Sequence, residues 1–308
     1  TRVEYNVIAN AATRVAALVS GEVDMVYTVP PQDTDRLARM PNIRIHQQAE
    51  LRTIYLGMDQ LRPELLKSDV RGRNPFQDLR VRQAVNHAID RTAIVRTVMR
   101  GQARPTGLMI GPGINGHTEA RDQVPAFDPA LSRRLLAEAG YPNGFGVTMD
   151  CPNDRYVNDE ATCTAVVSML ARVGIRVNLA AQTRARYFAE ILGPRYNTSF
   201  YMLGWTPNTY DAHNAFFNLM ASRQGDRGMF NVGGWSNARF DELVALMAVE
   251  TDAGKRAAMI EEAMRIHTEQ VGHIPLHQQT VVWAARGNIQ LQQLADNWFP
   301  LRWVRVGN

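Results

Sequence analysis

Lysine is nearly missing from this chain: of 34 basic residues only Lys67 and Lys255 are lysines. The arginines that make up the rest are scattered, and the net charge is a mild +4 over 308 residues. That distribution argues against nucleic acid as a partner. Cysteine is scarce as well. Cys151 and Cys163 form no CxxC, so neither a zinc knuckle nor a thioredoxin-type motif is available, although the two could pair with each other. No apolar run approaches the roughly 18 to 20 residues that span a bilayer, and the chain reads as soluble. There is no GxSxG elbow, no HExxH and no histidine beside either cysteine, so common signatures of nucleophilic and zinc-dependent hydrolysis are missing. "GLMIGPGING" is glycine-rich but lacks the Lys-Ser/Thr ending of a phosphate-binding loop, and it reads as a covering loop.

What is present is an ordinary globular composition, 45% hydrophobic and 21% charged. The length exceeds what one hydrophobic core usually organises, so two packed units are expected. The opening at Thr1 on "RVEYNVI", a strand-like run without initiator Met or signal peptide, reads as a cut start. A helix over "NAATRVAALVSG" stopped by Gly21, a strand over "VDMVYTV" and two more over "NIRIHQQ" and "RTIYLGMD" make an α/β unit of residues 1 to about 60. A polar passage from Arg62 to Asn74 reads as a linker. Helices are expected over "DLRVRQAVNHAID", with Val81, Ala84, Val85 and Ala88 on one face, and over "RTAIVRTVMRG". The stretch from Gly101 to Asp128 is a long loop, either functional or wrapped over a neighbour.

Helices and strands then alternate through "DPALSRRLLAEAG", "FGVTMDC", "NDEATCTAVVSMLARVG", "IRVNLAA" and "SFYMLGW", which predicts an α/β lobe with a partly parallel sheet. The last of these strands delivers a polar and aromatic cluster, "GWTPNTYDAHNAFF", at its C-terminal end, where ligands sit in open α/β sheets. Further on, Ala253, Ala257, Ile260, Met264, His267 and Val271 share one helical face. "NIQLQQL" is a last strand ahead of an aromatic tail. His267, His273 and His277 read as core and surface histidines rather than a metal site, because His267 lies on that apolar stripe. The acid pairs Asp159-Glu160, Asp241-Glu242 and Glu261-Glu262 sit at or within helices, two of them in first turns, where negative charge offsets the helix dipole. No metal and no cofactor is expected.

The run "DLRVRQAVNHAIDRTAIVRTVMRGQARP" is similar to the region by which family 5 extracellular solute-binding proteins are known, the peptide, nickel and opine receptors of ABC importers. The likeness extends in family order through "VAALVSGEVDMV", "FDPALSRRLLAEAGYPNGF", "MLARVGIRVNL", "LGWTPNTYDAHNAFFNLM", "NVGGWSNARFDELV" and "HIPLHQQTVVW". It implies an α/β fold of the type II periplasmic binding protein kind, two lobes around a cleft, here as a complete second lobe plus a partial first lobe. The implied division is 1–75 for the partial first lobe, 76–286 for the second and 287–308 for the return of the chain to the first. The signal peptide and the N-terminal part of the first lobe are expected to be absent from this chain.

The resemblance also implies binding without chemistry, by closure of two lobes. The expected ligand is a peptide or peptide-like solute, passed to the permease subunits of an ABC importer. The expected location is the periplasm, with membrane contact only through the permease, and the full-length protein is expected to be monomeric. A metal-chelate (nickel-type) or opine receptor is the alternative within the family. From another class, the alternative is a secreted hydrolase built on the histidines and acid pairs.

In the peptide-binding members an Arg pairs with the ligand's carboxylate. The equivalent run, "CPNDRYVNDE", places Arg155 in that role with Tyr156 beside it, against the alternative that Arg155 bridges Asp154 or Asp159. A second anchor loop of those members carries a pocket-lining Trp and, three residues later, an Asp that holds the peptide's amino terminus. Trp205 matches, with plain burial as its alternative. The third position is Asn208, whose amide cannot neutralise an ammonium group. Asp211 is either its substitute or a helix cap, and His213 resembles the nickel-type members. The candidate ligand-binding residues are therefore Arg155, Tyr156, Trp205, Asn208, Asp211 and His213. Cys163 either belongs to an apolar face with Val166, Val167 and Leu170 or bridges to Cys151, which an export compartment permits.

Overall fold

In the computed structural model, which describes residues 2–193 and 196–307, the first element is α1 (Ala11–Ser20). Asn10 caps it by accepting from the Thr13 N–H, and Gly21 ends it at φ 85°, a left-handed conformation that glycine adopts without a Cβ clash. The expected strand over "RVEYNVI" does not form: Arg2 to Val7 are exposed and extend alone, since alternation holds no strand without a neighbour to pair with. β1 (Met25–Tyr27) and α2 (Pro31–Ala38) follow. "NIRIHQQ" and "RTIYLGMD" are one long strand, β2 (Ile43–Met58), because the residues between them stay on the same neighbour. Next come α3 (Leu79–His87), capped by Asp78, and a single turn α4 (Arg91–Ala93), capped by Asp90. α4 runs on as a π turn, Ile94–Val98, where one regular helix is expected.

The remaining elements are β3 (Ala103–Pro105), α5 (Pro129–Glu138), β4 (Phe145–Pro152), α6 (Asp159–Ala171), β5 (Ile175–Gln182), α7 (Arg184–Ile191) and β6 (Phe200–Trp205). Then follow α8 (Ala212–Ala215), α9 (Ala238–Met247), α10 (Ala253–Glu269) and β7 (Ile274–Arg286). Seven strands form one sheet in the order β1-β7-β2-β6-β4-β5, with β3 on β7 as well. β4 is parallel to β5 and β6, and the other pairs are antiparallel. Ile54, Leu56 and Met58 of β2 face a core shared with α3, α5 and α6, while Leu51 and Tyr55 face one under α8, α9 and α10. The other halves of β2 and β7 build a third cluster, in which Ile43, Val282 and Ala284 meet Val15, Leu18, Val26 and Leu37. Three clusters in two hydrophobic units thus share one sheet, the first two covering opposite faces of one unit and the third forming the other.

Several expected segments behave differently in three dimensions. Residues 62–74 lie against β4 rather than spanning free: Thr148 N–H donates to the Lys67 carbonyl at 2.8 Å, and Lys67 Nζ pairs with buried Asp150 at 2.9 Å. The long loop after Gly101 is pinned by buried Asp122, which accepts from the Thr106 hydroxyl at 2.8 Å, the Gly107 N–H at 2.7 Å and Arg104 at 2.7 Å. Ala253 and Ala257 are exposed, so the buried stripe of α10 begins at Ile260. Of "NIQLQQL" only β8 (Ile289–Gln290) is a strand, paired with β9 (Arg305–Val306), while Gln293 turns back to donate to the Val281 carbonyl. Cys151 and Cys163 form a disulfide that ties β4 to α6, and Cys163 also lies in the core with Val166 and Leu170.

All three clustered histidines are core residues. The rings of His267 and His273 stack 5.2 Å apart, with Nε2 of the first 2.9 Å from Nδ1 of the second. Burial lowers His267 well below the usual imidazole range, His273 to about 3 and His277 to about 4, so the folded state holds them neutral. The unfolded chain takes up protons near pH 6.5, so stability is full above that pH and falls as the pH drops toward the folded values. Each histidine should contribute a slope of about 1.4 kcal/mol per pH unit. His277→Leu should remove one such share, measured by denaturant unfolding between pH 6.5 and 4.5. Parallel curves for variant and wild type would show that His277 takes up its proton while folded.

Candidate ligand site

The site grows from a fault in the β2 ladder. Ala49 pairs with Thr280 and Thr53 with Gln278, so Glu50, Leu51 and Arg52 stand opposite Gln279 alone. Two surplus residues bend the strand and redirect its side chains. The Leu51 N–H, displaced from the ladder, donates to the Ala295 carbonyl at 2.8 Å. Glu50 is buried; one oxygen accepts from the Gln279 amide and the other lies 3.1 Å from Arg52 Nη2. Burial pushes its carboxyl up, and Arg52, Gln279 and Arg155 pull it part of the way back. Arg52 Nε donates to the Thr206 hydroxyl at 2.9 Å, which joins the bulge to the end of β6.

The loop between β4 and α6 forms the second wall. Asp159 accepts from the backbone N–H groups of Arg155 and Tyr156, both at 2.9 Å, and from that of Glu160 at 3.0 Å. Asp154 instead accepts from the Arg184 N–H. Neither acid therefore bridges the Arg155 guanidinium, which lies 4.9 Å from the Tyr156 ring centroid and has no carboxylate partner among the described residues. Tyr156 is buried, its hydroxyl donating to the Gly204 carbonyl at 3.4 Å. Gly204 makes this approach possible. A Cβ there would stand 2.7 Å from Ile54 Cδ1, 2.8 Å from Tyr156 Cε1 and 3.1 Å from Arg52 Cδ.

Beyond Gly204, the half-buried Trp205 donates from Nε1 to Asn214 Oδ1 at 3.0 Å and packs on Phe230, with ring centroids 5.0 Å apart. The Asn214 amide donates in turn to Asn208 Oδ1, which holds exposed Asn208 at the rim. Asp211 and His213 point elsewhere. Asp211 caps α8 by accepting the His213 N–H at 2.9 Å, and its two oxygens receive the Arg256 fork at 2.7 and 2.8 Å and the Asn115 amide at 2.9 Å. Burial alone would raise this carboxyl, but Arg256, Asn115 and the His213 N–H outweigh it and bring it down to about 2. His213 Nε2–H donates to the Val244 carbonyl at 3.1 Å, and its ring stacks on Phe217.

The structure thus gathers Arg155, Tyr156 and Trp205 around the bulge and leaves Asp211 and His213 to the packing of α8 against α9 and α10. Glu50 escapes sequence reasoning because it falls between two runs that look like separate strands, and Arg52 because it opens the second of them. The available signal was the polar break itself, "QAELRT", between two β-branched stretches. Among the described residues no three His, Cys, Asp or Glu side chains are grouped to hold a metal ion. An open cavity of about 420 Å³ lies at the other end of β4, between Asp69 and Phe145, away from these residues.

The mixed sheet between helical layers has the fold of type II periplasmic binding proteins. The chain belongs to the bacterial extracellular solute-binding proteins, family 5, whose middle-region profile matches residues 1–227. It is 27% identical over 290 residues to the glutathione-binding protein GsiB of Escherichia coli (strain K12), an alignment covering 93% of this chain and 54% of that protein. The periplasmic binding protein DppA from Helicobacter pylori, solved with the peptide STSA, superposes with a TM-score of 0.85 at 21% identity, over 98% of this chain and 56% of that one. A dipeptide-binding protein from Pseudoalteromonas sp. SM9913, solved with Met-Leu, gives a TM-score of 0.84 at 24% identity, over 98% and 57%. The chain spans about half the length of these relatives. No described helix is long and apolar enough to cross a membrane.

The Asp211 geometry makes a direct prediction. Asp211→Asn keeps a capping side chain but strips Arg256 of its charge partner, and should cost roughly 1 to 3 kcal/mol of stability. Thermal unfolding of the two proteins measures it, and ligand affinity should stay within about twofold. A large loss of affinity at unchanged stability would make Asp211 a ligand anchor instead.

Proposed function

We propose that this chain forms part of the substrate-binding receptor of an ABC importer, a periplasmic protein that captures a peptide or peptide-like solute by lobe closure and delivers it to the permease. The observation that carries this reading is the Arg155 guanidinium beside Tyr156, held at the junction of the two hydrophobic units without a carboxylate of its own. A planar fork left open in a cleft is suited to the carboxylate of a ligand. GsiB is named for glutathione, and the two superposed receptors were solved with peptides. Binding and release, not turnover, is the work assigned to this site, and the full-length protein acts as a monomer.

The lobes meet at the β2 bulge in this reading. Ile54, Leu56, Met58 and Leu65 share a core with Phe145 and Val166, so the second lobe gains residues from about 53 onward, and the first keeps those before the bulge together with Val282 and Ala284 of β7. Trp205 lines the cleft and Asn208 edges it. With Asp211 committed to Arg256, the 204–217 segment offers the ligand's amino group no spare carboxylate. The Val244 bond of His213 favours a peptide-like ligand over a metal chelate.

Mass spectrometry of solutes that copurify with the complete gene product, followed by calorimetry, tests the assignment. Arg155→Ala should weaken binding of the recovered ligand by roughly 2 to 5 kcal/mol, mostly through faster release, with no change in the unfolding midpoint. A ligand recovered chemically altered, or an unchanged dissociation constant in the variant, would defeat it.

A further inference from the structure

A carboxylate received by Arg155 would find a second guanidinium on the same aromatic ring. The Arg52 guanidinium lies 5.7 Å from the Tyr156 centroid, against 4.9 Å for Arg155. Its side chain is only 13% exposed, and burying a guanidinium that far is costly unless its charge and donors are met. Here they are met only in part. The Thr206 hydroxyl accepts from Nε, Glu50 Oε1 lies 3.1 Å from Nη2 as an ion pair without a hydrogen bond, and Nη1 has no protein partner among the described residues. Glu50 is held in its turn by Gln279, so that the ordered chain Gln279, Glu50, Arg52, Thr206 aims one fork into the junction. Asp296, whose field reaches Glu50, accepts the Trp298 N–H.

We propose that Arg52 is a ligand-binding residue which, with Arg155 and across the Tyr156 ring, clamps a solute carrying two carboxylates, and that Glu50 is the residue that positions it. This inference rests on the peptide-receptor reading above and narrows its ligand to acidic, dicarboxylate peptides. Each guanidinium retains N–H donors that a carboxylate accepts in parallel. The fork of Arg52 is already fixed by Glu50 and Thr206, so little side-chain freedom is lost on binding. A lysine in its place would carry the charge without the planar pair of donors.

Calorimetry on the complete gene product with three probes decides the matter: glutathione, which has two carboxylates, its glycine monoethyl ester, which has one, and trialanine, which has one. The wild type should bind glutathione at least about tenfold more tightly than the ester, a gap of about 1.4 kcal/mol. Arg52→Gln should bring the two within about twofold while trialanine binding stays within about threefold, and Arg52→Lys should fall between. Glu50→Gln should shrink the same ratio without abolishing trialanine binding, which a merely structural role for Glu50 would not do. A ratio unchanged in Arg52→Gln, or an equal loss for all three probes, overturns the clamp and leaves the peptide receptor standing. Failure of all three probes to bind the wild type overturns both.

Discussion

The ladder between β2 and β7 runs from Ile43 opposite Arg286 to Leu56 opposite Ile274, and both hydrophobic units hang from it. Because side chains alternate with a period of two, a slip of one residue would exchange the Leu51 and Tyr55 face with the Ile54 and Leu56 face and send each set into the other's core. The bulge from Glu50 to Arg52 resets the ladder at the point where one core ends and the next begins. The three bulged residues cannot all bury apolar side chains against a neighbour, and two of them are charged. The ion pair of the site is thus a consequence of the register change, and the burial of Glu50 follows from the same geometry.

Most of the architecture follows from local signals. The caps at Asn10, Asp78, Asp90, Asp128, Asn237 and Asp252 each accept the backbone N–H their position calls for. The alternation from α5 to β6 is visible in the apolar spacing, and the parallel β4–β5–β6 block agrees with it. What could not be read is what depends on a partner far away in sequence. "RVEYNVI" has strand composition but no neighbour, and the continuity of β2 is decided by β7, more than two hundred residues later. The polar 62–74 passage looks like a linker because a buried pair such as Lys67 and Asp150 is indistinguishable, in one sequence, from two solvated charges.

The site divides along the same line. Arg155, Tyr156 and Trp205, which the resemblance placed at strand ends, do come together near the bulge, and their role toward a ligand stays a proposal. Asp211 and His213 sit on the same loop and look equally suited to a ligand, but whether such a residue faces a ligand or its own scaffold depends on partners such as Arg256 and Val244, which only the packing of α9 and α10 supplies. Arg52 was hidden in the opposite sense, since a charged residue in a strand interior has the look of a solvated face. Gly204 belongs with it: its missing Cβ is what lets Tyr156 and Arg52 close on β6.

The motif that announces the family does different work. In "DLRVRQAVNHAIDR" two of the arginines, Arg82 and Arg91, are buried, and burial brings each guanidinium down to about 10. Among the described residues neither has a hydrogen-bonded carboxylate. Arg82 donates to the carbonyls of Gln270, Phe76 and Gln77, and Arg91 to those of Pro275 and Asn86. Five donors fixed in one plane satisfy several carbonyls of chain turns at once, which an ammonium on a flexible stem does poorly. These contacts staple α3 and α4 to the start of β7, upstream of the stretch where β7 meets the bulge. The motif therefore constrains where β7 enters the sheet, and through β7 the register that sets Arg52 in the bulge. Its two buried arginines are spent on backbone carbonyls, and in the proposed receptor it is the bulge and the two loops beside it that would meet the ligand.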